Sequence, residues 1–364
     1  MTTAAAARAE VRTAWNPRRY LGGAWRHPVA RAVFKAFLTI FVTTTLTFFL
    51  IRLMPGSPVE LKIDELIQTA NGALTYDDAK AIASGLFAID LNAPLHEQYL
   101  SFLWNLVHLD MGNSFLSSGT TVTSIIIAVL PWTLFSVGTG LLLSFVVGIG
   151  LGLLAAYRRN SRLDRVLSTA ASLISSVPNY LIALLIILFL GVQFRLINFT
   201  SMRGAFTSGM QPGFTPQFIG DVFYHASLPI TIYFLTQIGH WVLSMRSATL
   251  AALEEDYVTA ARARGLTDGR IRTAYVGRNA VLPLVTQLAI SVGFIVGGAA
   301  IIEQIFAYQG VGLRLLAAVN QRDYPVIQGI VLLTTASVVI ANLAADLLYS
   351  KLDPRIGRAG GAAG

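Results

Sequence analysis

Six long stretches of this sequence contain no Asp, Glu, Lys or Arg, and they constrain the fold more than any other feature. They cover residues 36–51, 111–157, 166–194, 222–245, 279–302 and 324–345. A helix that crosses the hydrocarbon of a bilayer needs roughly 20 apolar residues. The first stretch is short but is extended by the long side chains of Lys35 and Arg52, and the second has a polar start, so its span begins near Thr123. The sequence therefore predicts an all-α membrane protein with six transmembrane helices.

The overall composition agrees with a membrane protein. Only 13% of the residues are charged, about half of the roughly 25% typical of soluble domains. The net charge is +8, but the basic residues lie in short segments between the apolar stretches, which excludes a basic nucleic-acid-binding protein. The chain has no cysteine, so disulfides and thiolate chemistry are excluded as well.

The distribution of basic residues predicts the orientation in the membrane. Residues 1–35, 158–165, 246–278 and 351–364 hold 20 of the 27 Lys and Arg residues. Since cytoplasmic loops carry an excess of Lys and Arg, we expect these four segments, and with them both termini, to be cytoplasmic. The basic segment 1–35 is consistent either with an amphipathic helix on the anionic inner leaflet or with a disordered tail that has a few anchoring aromatic residues.

These boundaries divide the chain into five parts. They are a basic cytoplasmic segment (1–35), a first transmembrane helix (36–53), an extracytoplasmic segment (54–122), a five-helix core (123–350) with a cytoplasmic loop at 246–282, and a cytoplasmic tail (351–364). In the extracytoplasmic segment we expect two short helices, the first with Thr75 as its N-cap. Within the core, Gly148 with Gly152 and Gly293 with Gly297 have the spacing that lets membrane helices approach closely. Pro178 predicts a kink in the third span. A structural kink and a role in a pathway, with Ser175, Ser176 and Asn179 lining a cavity, are the alternatives.

The sequence lacks the motifs for several kinds of chemistry. A P-loop needs a lysine after a glycine, and none of the four lysines follows one. The histidines are too scattered to propose a metal site, and no residue is assigned a catalytic role. The span interiors hold no carboxylate and no cation, and His240 is the histidine that lies well inside one of them. A lone histidine in a span is more often a packing residue than a proton relay, so we expect energy to come from a partner.

One polar stretch, from Glu254 to Leu284, interrupts the apolar core and predicts a helix, a glycine turn and a second helix. Acidic residues up to Asp256 complement the positive end of a helix dipole. Gly265 stands where a left-handed C-terminal cap is placed, and Thr267 or Asp268 can cap the next helix. Small residues with one aromatic on one face suit insertion into a partner's groove; the residues are Tyr257, Ala260, Ala261 and Arg264. A solvated loop and a DNA-binding helix-turn-helix are the alternatives.

This stretch resembles the "EAA" loop of importer-type ABC transporter permeases of the dipeptide/oligopeptide/nickel family. The matching sequence is DYVTAARARGL followed by NAVLPL. Four further segments are similar to elements of the same family and extend the resemblance over roughly residues 30–357: RLMPGSP, LNAPLHEQYLSFLWNLVHLDMGNSF, EQIFAYQGVGLRLLAAVNQRDYPVIQG and DPRI. The sequence departs from the family pattern at Thr259, where the signature usually has Glu, and at Ser57, where an Asp is usual.

The resemblance implies a type I ABC importer permease in a prokaryotic cytoplasmic (inner) membrane. A homologous second permease, two ATP-binding subunits and an extracytoplasmic solute-binding protein would complete it. The partners, not this chain, would bind ATP and magnesium, and this chain would bind no cofactor. The residues implied in coupling to an ATP-binding subunit are Asp256, Tyr257, Ala260, Ala261, Arg264, Gly265 and Leu266. Those implied in docking of the binding protein are Tyr308, Arg322 and Asp323.

The cargo implied by the resemblance is a dipeptide or oligopeptide, with oligosaccharides or nickel chelates as alternatives. Two functions from other classes compete. An ion-coupled secondary carrier would transport without a partner, and the lack of carboxylates in the spans counts against it. An intramembrane enzyme would need a nucleophile and a base, for which His240 with a nearby serine is a poor candidate.

Overall fold

The computed structural model describes residues 28–53, 58–70, 74–86, 93–117, 119–297 and 300–352. Most of the predicted segment 1–35 and most of the tail 351–364 therefore lie outside the described residues. The described chain forms helices α1 (Pro28–Arg52), α2 (Pro58–Thr69), α3 (Tyr76–Leu86), α4 (Leu95–Val107), α5 (Val122–Tyr157), α6 (Arg162–Ser176), α7 (Asn179–Gln193), α8 (Pro216–Leu253), α9 (Asp256–Ala263), α10 (Asp268–Ile295), α11 (Ala300–Ile305), α12 (Val311–Gln321) and α13 (Tyr324–Leu352).

Five of these helices are long and apolar enough to cross a membrane, namely α1, α5, α8, α10 and α13. Helices α6 and α7 pass the same test of length and composition only as a pair, which is bent by 99° at the break between them. The predicted all-α membrane fold is confirmed, with five spans, or the expected six if this bent pair crosses as one span. The third span is broken at Pro178 rather than only kinked, because the residue before a proline is forced out of the helical region: Val177 has φ −90° and ψ 127°.

Glycines let α5 and α8 pack with almost no space between their backbones. A Cβ added at Gly148 would lie 2.5 Å from Cβ of Trp241, and one at Gly152 would lie 2.5 Å from the carbonyl oxygen of Val242. Helices α10 and α13 meet in the same way at Gly293, where an added Cβ would lie 2.5 Å from Cβ of Ala341. The expected role of these glycines in close packing is confirmed.

The two short helices expected before α5 are present. Thr75 caps α3 by accepting a hydrogen bond from the backbone N–H of Asp78 at 3.3 Å. Helix α4 lies against α1: the rings of Tyr99 and Phe102 each have their centroid 5.2 Å from that of Phe48. The opposite side of α4 is exposed at Trp104.

The bundle has two distinct ends. At the basic end lie the last turns of α5 and α8, the first turns of α6 and α10, and helix α9. At the opposite end, buried Glu303 accepts hydrogen bonds from the Thr133 hydroxyl and the Leu313 N–H, both at 2.8 Å. Burial raises the pKa of Glu303 above its ordinary value. This carboxyl group ties α5 and α11 to the start of α12.

Candidate functional site

Helix α9 ends in a tight left-handed turn at Gly265. The N–H of Leu266 donates to the carbonyl of Ala261 at 3.3 Å, and the N–H of Gly265 donates to the carbonyl of Arg262 at 2.9 Å. This pair of bonds is a Schellman motif, which needs a positive φ at its glycine. Gly265 has φ +73°. The predicted helix with a glycine cap is therefore confirmed, with α9 ending within one residue of the expected position.

The turn rests on a buried apolar base. Val258 and Ala261 are 0% and 3% exposed, and they belong to one cluster with Met245 of α8 and Ile271 of α10. Tyr257 and Leu266 are partly buried against the same cluster. The residues that face away from the base are exposed: Asp256, Thr259, Ala260, Arg262, Arg264 and Gly265.

This arrangement corrects one predicted contact. Ala261 was expected on the surface offered to a partner, but its side chain faces the protein's own cluster. Its small size serves the packing of α9 onto α8 and α10, and its carbonyl anchors the Schellman motif. Among the predicted coupling residues, the structure leaves Asp256, Ala260, Arg264 and Gly265 on the open surface, with Tyr257 and Leu266 at its border.

A partly buried ion pair that the sequence did not predict fixes the basic end beside this turn. The guanidinium of Arg246 on α8 donates to both carboxylate oxygens of Asp164 on α6, at 2.6 and 2.9 Å. Asp164 also accepts from the N–H of Asn160 at 3.0 Å and from the hydroxyl of Ser168 at 3.2 Å. The only sequence signal was Asp164 as the single acid in a basic loop.

Helix α10 begins with a widened turn. Its residues Ile271–Gly277 are π-helical, a local form that occurs often at functional sites. Arg272 lies at the centre of the contacts to α5: its carbonyl accepts from the hydroxyl of Tyr157 at 3.1 Å, and its guanidinium lies 4.8 Å from the centroid of that ring. The turn at Gly265 is thus connected to three long helices.

A second candidate site is a cleft on the membrane-spanning helices. It has a volume of about 370 Å³ and is lined by Val137, Leu141, Asn179, Tyr233, Thr236, Gln237, Ser291, Phe294 and Ile295. One helical turn toward the basic end, the side chains of His240 on α8 and Gln287 on α10 are hydrogen-bonded at 2.8 Å. Among the described residues, His240 thus bonds to the amide of Gln287 rather than to a serine hydroxyl.

The residues expected to dock a binding protein are mostly inside the fold. Tyr308 and Asp323 are both 0% exposed, so their side chains lie away from any docked protein, and only Arg322 is partly exposed. Asp323 accepts hydrogen bonds from the Ser114 hydroxyl and from the N–H of Phe115. Its acidic group therefore holds the segment before α5 against the junction of α12 and α13.

Comparison with known proteins gives consistent matches over most of the chain. Residues 148–358 match the family described as binding-protein-dependent transport system inner membrane component. A putative peptide permease protein of Brucella suis biovar 1 (strain 1330) is 36% identical over 320 residues, which cover 87% of this chain and 94% of the relative.

Two further relatives have named transport systems. The oligopeptide transport system permease protein AppB of Bacillus subtilis (strain 168) is 32% identical, over 86% of this chain and 93% of its own length. The di/tripeptide transport system permease protein DppB of Pseudomonas aeruginosa (strain UCBPP-PA14) is 31% identical, over 90% of this chain and 98% of its own.

Proposed function

Because this chain belongs to the family of binding-protein-dependent transport system inner membrane components, we propose that it is the permease subunit of an ATP-driven peptide importer. It is a multi-pass protein of the cytoplasmic membrane, and it forms half of the path through which the cargo passes. A homologous second permease forms the other half. Two ATP-binding subunits bind ATP and magnesium, and an extracytoplasmic solute-binding protein delivers the cargo.

The observation that carries this proposal is the exposed turn of α9 on its buried base. The apolar face of α9 is attached to both of the spans that it connects. Val258 and Ala261 attach α9 to α8 and α10, while the charged and small residues at Asp256, Ala260 and Arg264 remain open to a partner.

This attachment supplies a mechanism for coupling. A partner that binds the open surface and moves it displaces α9 as a rigid unit, because the Schellman motif fixes its end and the buried base fixes its side. Close packing transmits such a displacement, since protein interiors resist compression. Helices α8 and α10 carry the cleft residues Gln237 and Ser291, so movement at the basic end reaches the cleft through two continuous helices.

Peptides are the preferred cargo because AppB and DppB, named for oligopeptide and di/tripeptide transport, cover nearly the whole chain. Importers of oligosaccharides or nickel chelates built on the same machinery are the alternative. The cleft does not select between a peptide and a sugar on polarity alone, since amide and hydroxyl side chains can bond to either.

Purification of this chain from its native membrane in a mild detergent, followed by mass spectrometry, tests the proposal. We expect a second permease, P-loop subunits and a binding protein that retains a peptide. If the binding protein instead retains an oligosaccharide or a nickel chelate, that compound and not a peptide is the cargo. Recovery of this chain alone, still transporting with an ion gradient and without ATP, would overturn the importer and establish a secondary carrier.

A further inference from the structure

The cleft on the spanning helices is lined by two carboxamide side chains, and a third lies one helical turn beyond it. Asn179 stands at the start of α7, Gln237 in the middle of α8, and Gln287 on the facing side of α10. The side chain of Gln237 is exposed on the isolated chain and makes no side-chain hydrogen bond among the described residues. Polar groups at membrane depth are expensive against lipid. This face therefore lies toward water or a second subunit rather than toward acyl chains.

The carboxamides belong to one continuous polar surface. Gln237 is one helical turn from both Tyr233 and His240 on α8, and Gln287 is one turn from Ser291 on α10. The bond of 2.8 Å between His240 and Gln287 joins the two helices at the basic end of the surface. Asn179 reaches it from the break between α6 and α7, where Pro178 starts the new helix. The break thus brings a third carboxamide to the cleft.

The side chains of this surface are uncharged, and they include both hydrogen-bond donors and hydrogen-bond acceptors. Each carboxamide offers a carbonyl acceptor and an N–H donor, the same pair that every peptide unit of a polypeptide main chain carries. No Asp, Glu, Lys or Arg is among the residues that line the cleft in the described part of the chain. Such a surface can bind the main chain of a peptide while remaining indifferent to the charge of its side chains.

We propose that Asn179, Gln237 and Gln287 form a main-chain binding site for peptides inside the translocation path. This inference rests on the proposed function as a peptide importer and adds the site and its mode of recognition. The cleft volume of about 370 Å³ lies at the lower end of the range for small-molecule pockets. It holds part of a peptide, and the second permease closes the other side. Recognition of the main chain alone lets peptides of different sequence pass.

The test uses the complete importer reconstituted in vesicles with its binding protein. Gln237→Leu and Asn179→Leu keep the approximate size of each side chain and remove its hydrogen bonds. Asn342→Leu is the matched control, because Asn342 is an exposed carboxamide on α13 that lines a different cleft beside Lys35 and Thr39. Uptake of trialanine and of a tripeptide with charged side chains is measured together with ATP hydrolysis in the absence of cargo.

We expect both cleft variants to lower uptake of both tripeptides by about tenfold or more, the effect of leaving a hydrogen bond unmade in a desolvated site. Cargo-free ATP hydrolysis and the Asn342→Leu control should stay near wild type. Wild-type uptake by both cleft variants would overturn the site, and loss of only one tripeptide would overturn main-chain recognition. If the wild-type importer, with normal ATP hydrolysis, carries no peptide at all, the proposed cargo fails instead.

A second measurement keeps the proposal testable if a leucine variant fails to assemble into the importer. The chain has no cysteine, so Gln237→Cys and Asn342→Cys each introduce a single thiol. A tripeptide with an N-terminal bromoacetyl group alkylates a thiol that it contacts, with loss of bromide. We expect labelling at position 237 during ATP turnover and none at position 342. Equal labelling, or no labelling at position 237 by a peptide that is transported, would overturn the proposal.

Discussion

Gly265 has φ +73°, and no heavy atom lies within 4 Å of the place where its Cβ would stand. Backbone conformation, and not space, therefore limits what this position accepts. A left-handed conformation costs a residue with a Cβ roughly 1–2 kcal/mol. Asparagine tolerates it better than other residues because of its short polar side chain. The turn can therefore be loosened without creating a clash elsewhere.

We predict that Gly265→Leu lowers ATP-driven uptake severalfold while membrane insertion stays normal, because α9 loses its fixed end. Uptake into vesicles measures the first effect, and the amount of the variant recovered in the membrane fraction measures the second. Gly265→Asn should retain most of the uptake. Gly269→Ala, at an open position in the first turn of α10, is the control and should behave as wild type. Normal uptake by Gly265→Leu would contradict the coupling role.

The ion pair between Asp164 and Arg246 gives a second prediction for single residues. Asp164→Ala leaves a partly buried guanidinium without its carboxylate, together with two donors at Asn160 and Ser168. We expect a loss of about 2 kcal/mol in stability, less than for a fully buried pair because Arg246 is 29% exposed. The thermal unfolding midpoint in detergent measures it. Asp268→Ala, which removes an exposed carboxylate, should change the midpoint little; equal losses would show that the pair adds nothing.

The sequence predicted the local roles of residues better than their contacts with distant parts of the chain. The caps at Thr75 and Gly265 depend on neighbours within a few residues, so local patterns were sufficient. The partners Asp164 and Arg246 are 82 residues apart, and no local pattern links them. The burial of Tyr308 and Asp323 likewise depends on segments distant in the sequence, and the prediction of an exposed docking role failed there.

Among the helices, the contact between α5 and α8 depends on glycine at specific turns. We predict that Gly148→Ala lowers stability by about 1–3 kcal/mol, because the new methyl group overlaps Trp241 and must push the helices apart. Gly150→Ala is the matched control: it lies two residues away on the same helix, with nothing within 4 Å of the added Cβ. Thermal unfolding in detergent compares them. Equal midpoints would show that α5 and α8 are not held by this contact.

The helices themselves were largely predictable from the sequence, because lack of charge over about 20 residues allows few alternatives in a membrane protein. The bend of 99° between α6 and α7 was not. Pro178 indicated a change of direction, but the angle depends on packing against α8, where Gly239 leaves no room beside Ala171 and Ser175. Similarly, the buried face of α9 is set by contacts with α8 and α10 that its own sequence does not contain.

For the whole molecule, the charge distribution predicts that the basic end faces the cytoplasm. Since the chain has no cysteine, a single introduced cysteine shows on which side of the membrane its position lies. We expect Ser208→Cys, in the exposed segment between α7 and α8, to react with a membrane-impermeant maleimide added to intact cells. Arg159→Cys, between α5 and α6, should react only after the membrane is opened. The reverse labelling pattern would invert the orientation and place α9 outside.

Thr133 and Glu303 are hydrogen-bonded although 170 residues separate them, and this distance has a consequence for biosynthesis. At roughly 5–20 residues per second, a ribosome takes about 10–30 s to extend the chain from Thr133 to Glu303. Helix α5 is therefore made well before its carboxyl partner exists. Thr133 also accepts from the N–H of Val311, another late residue. Helix α5 thus completes these hydrogen bonds only after the short helices α11 and α12 have been made, and a nascent chain interrupted before Glu303 lacks the carboxyl group that joins them.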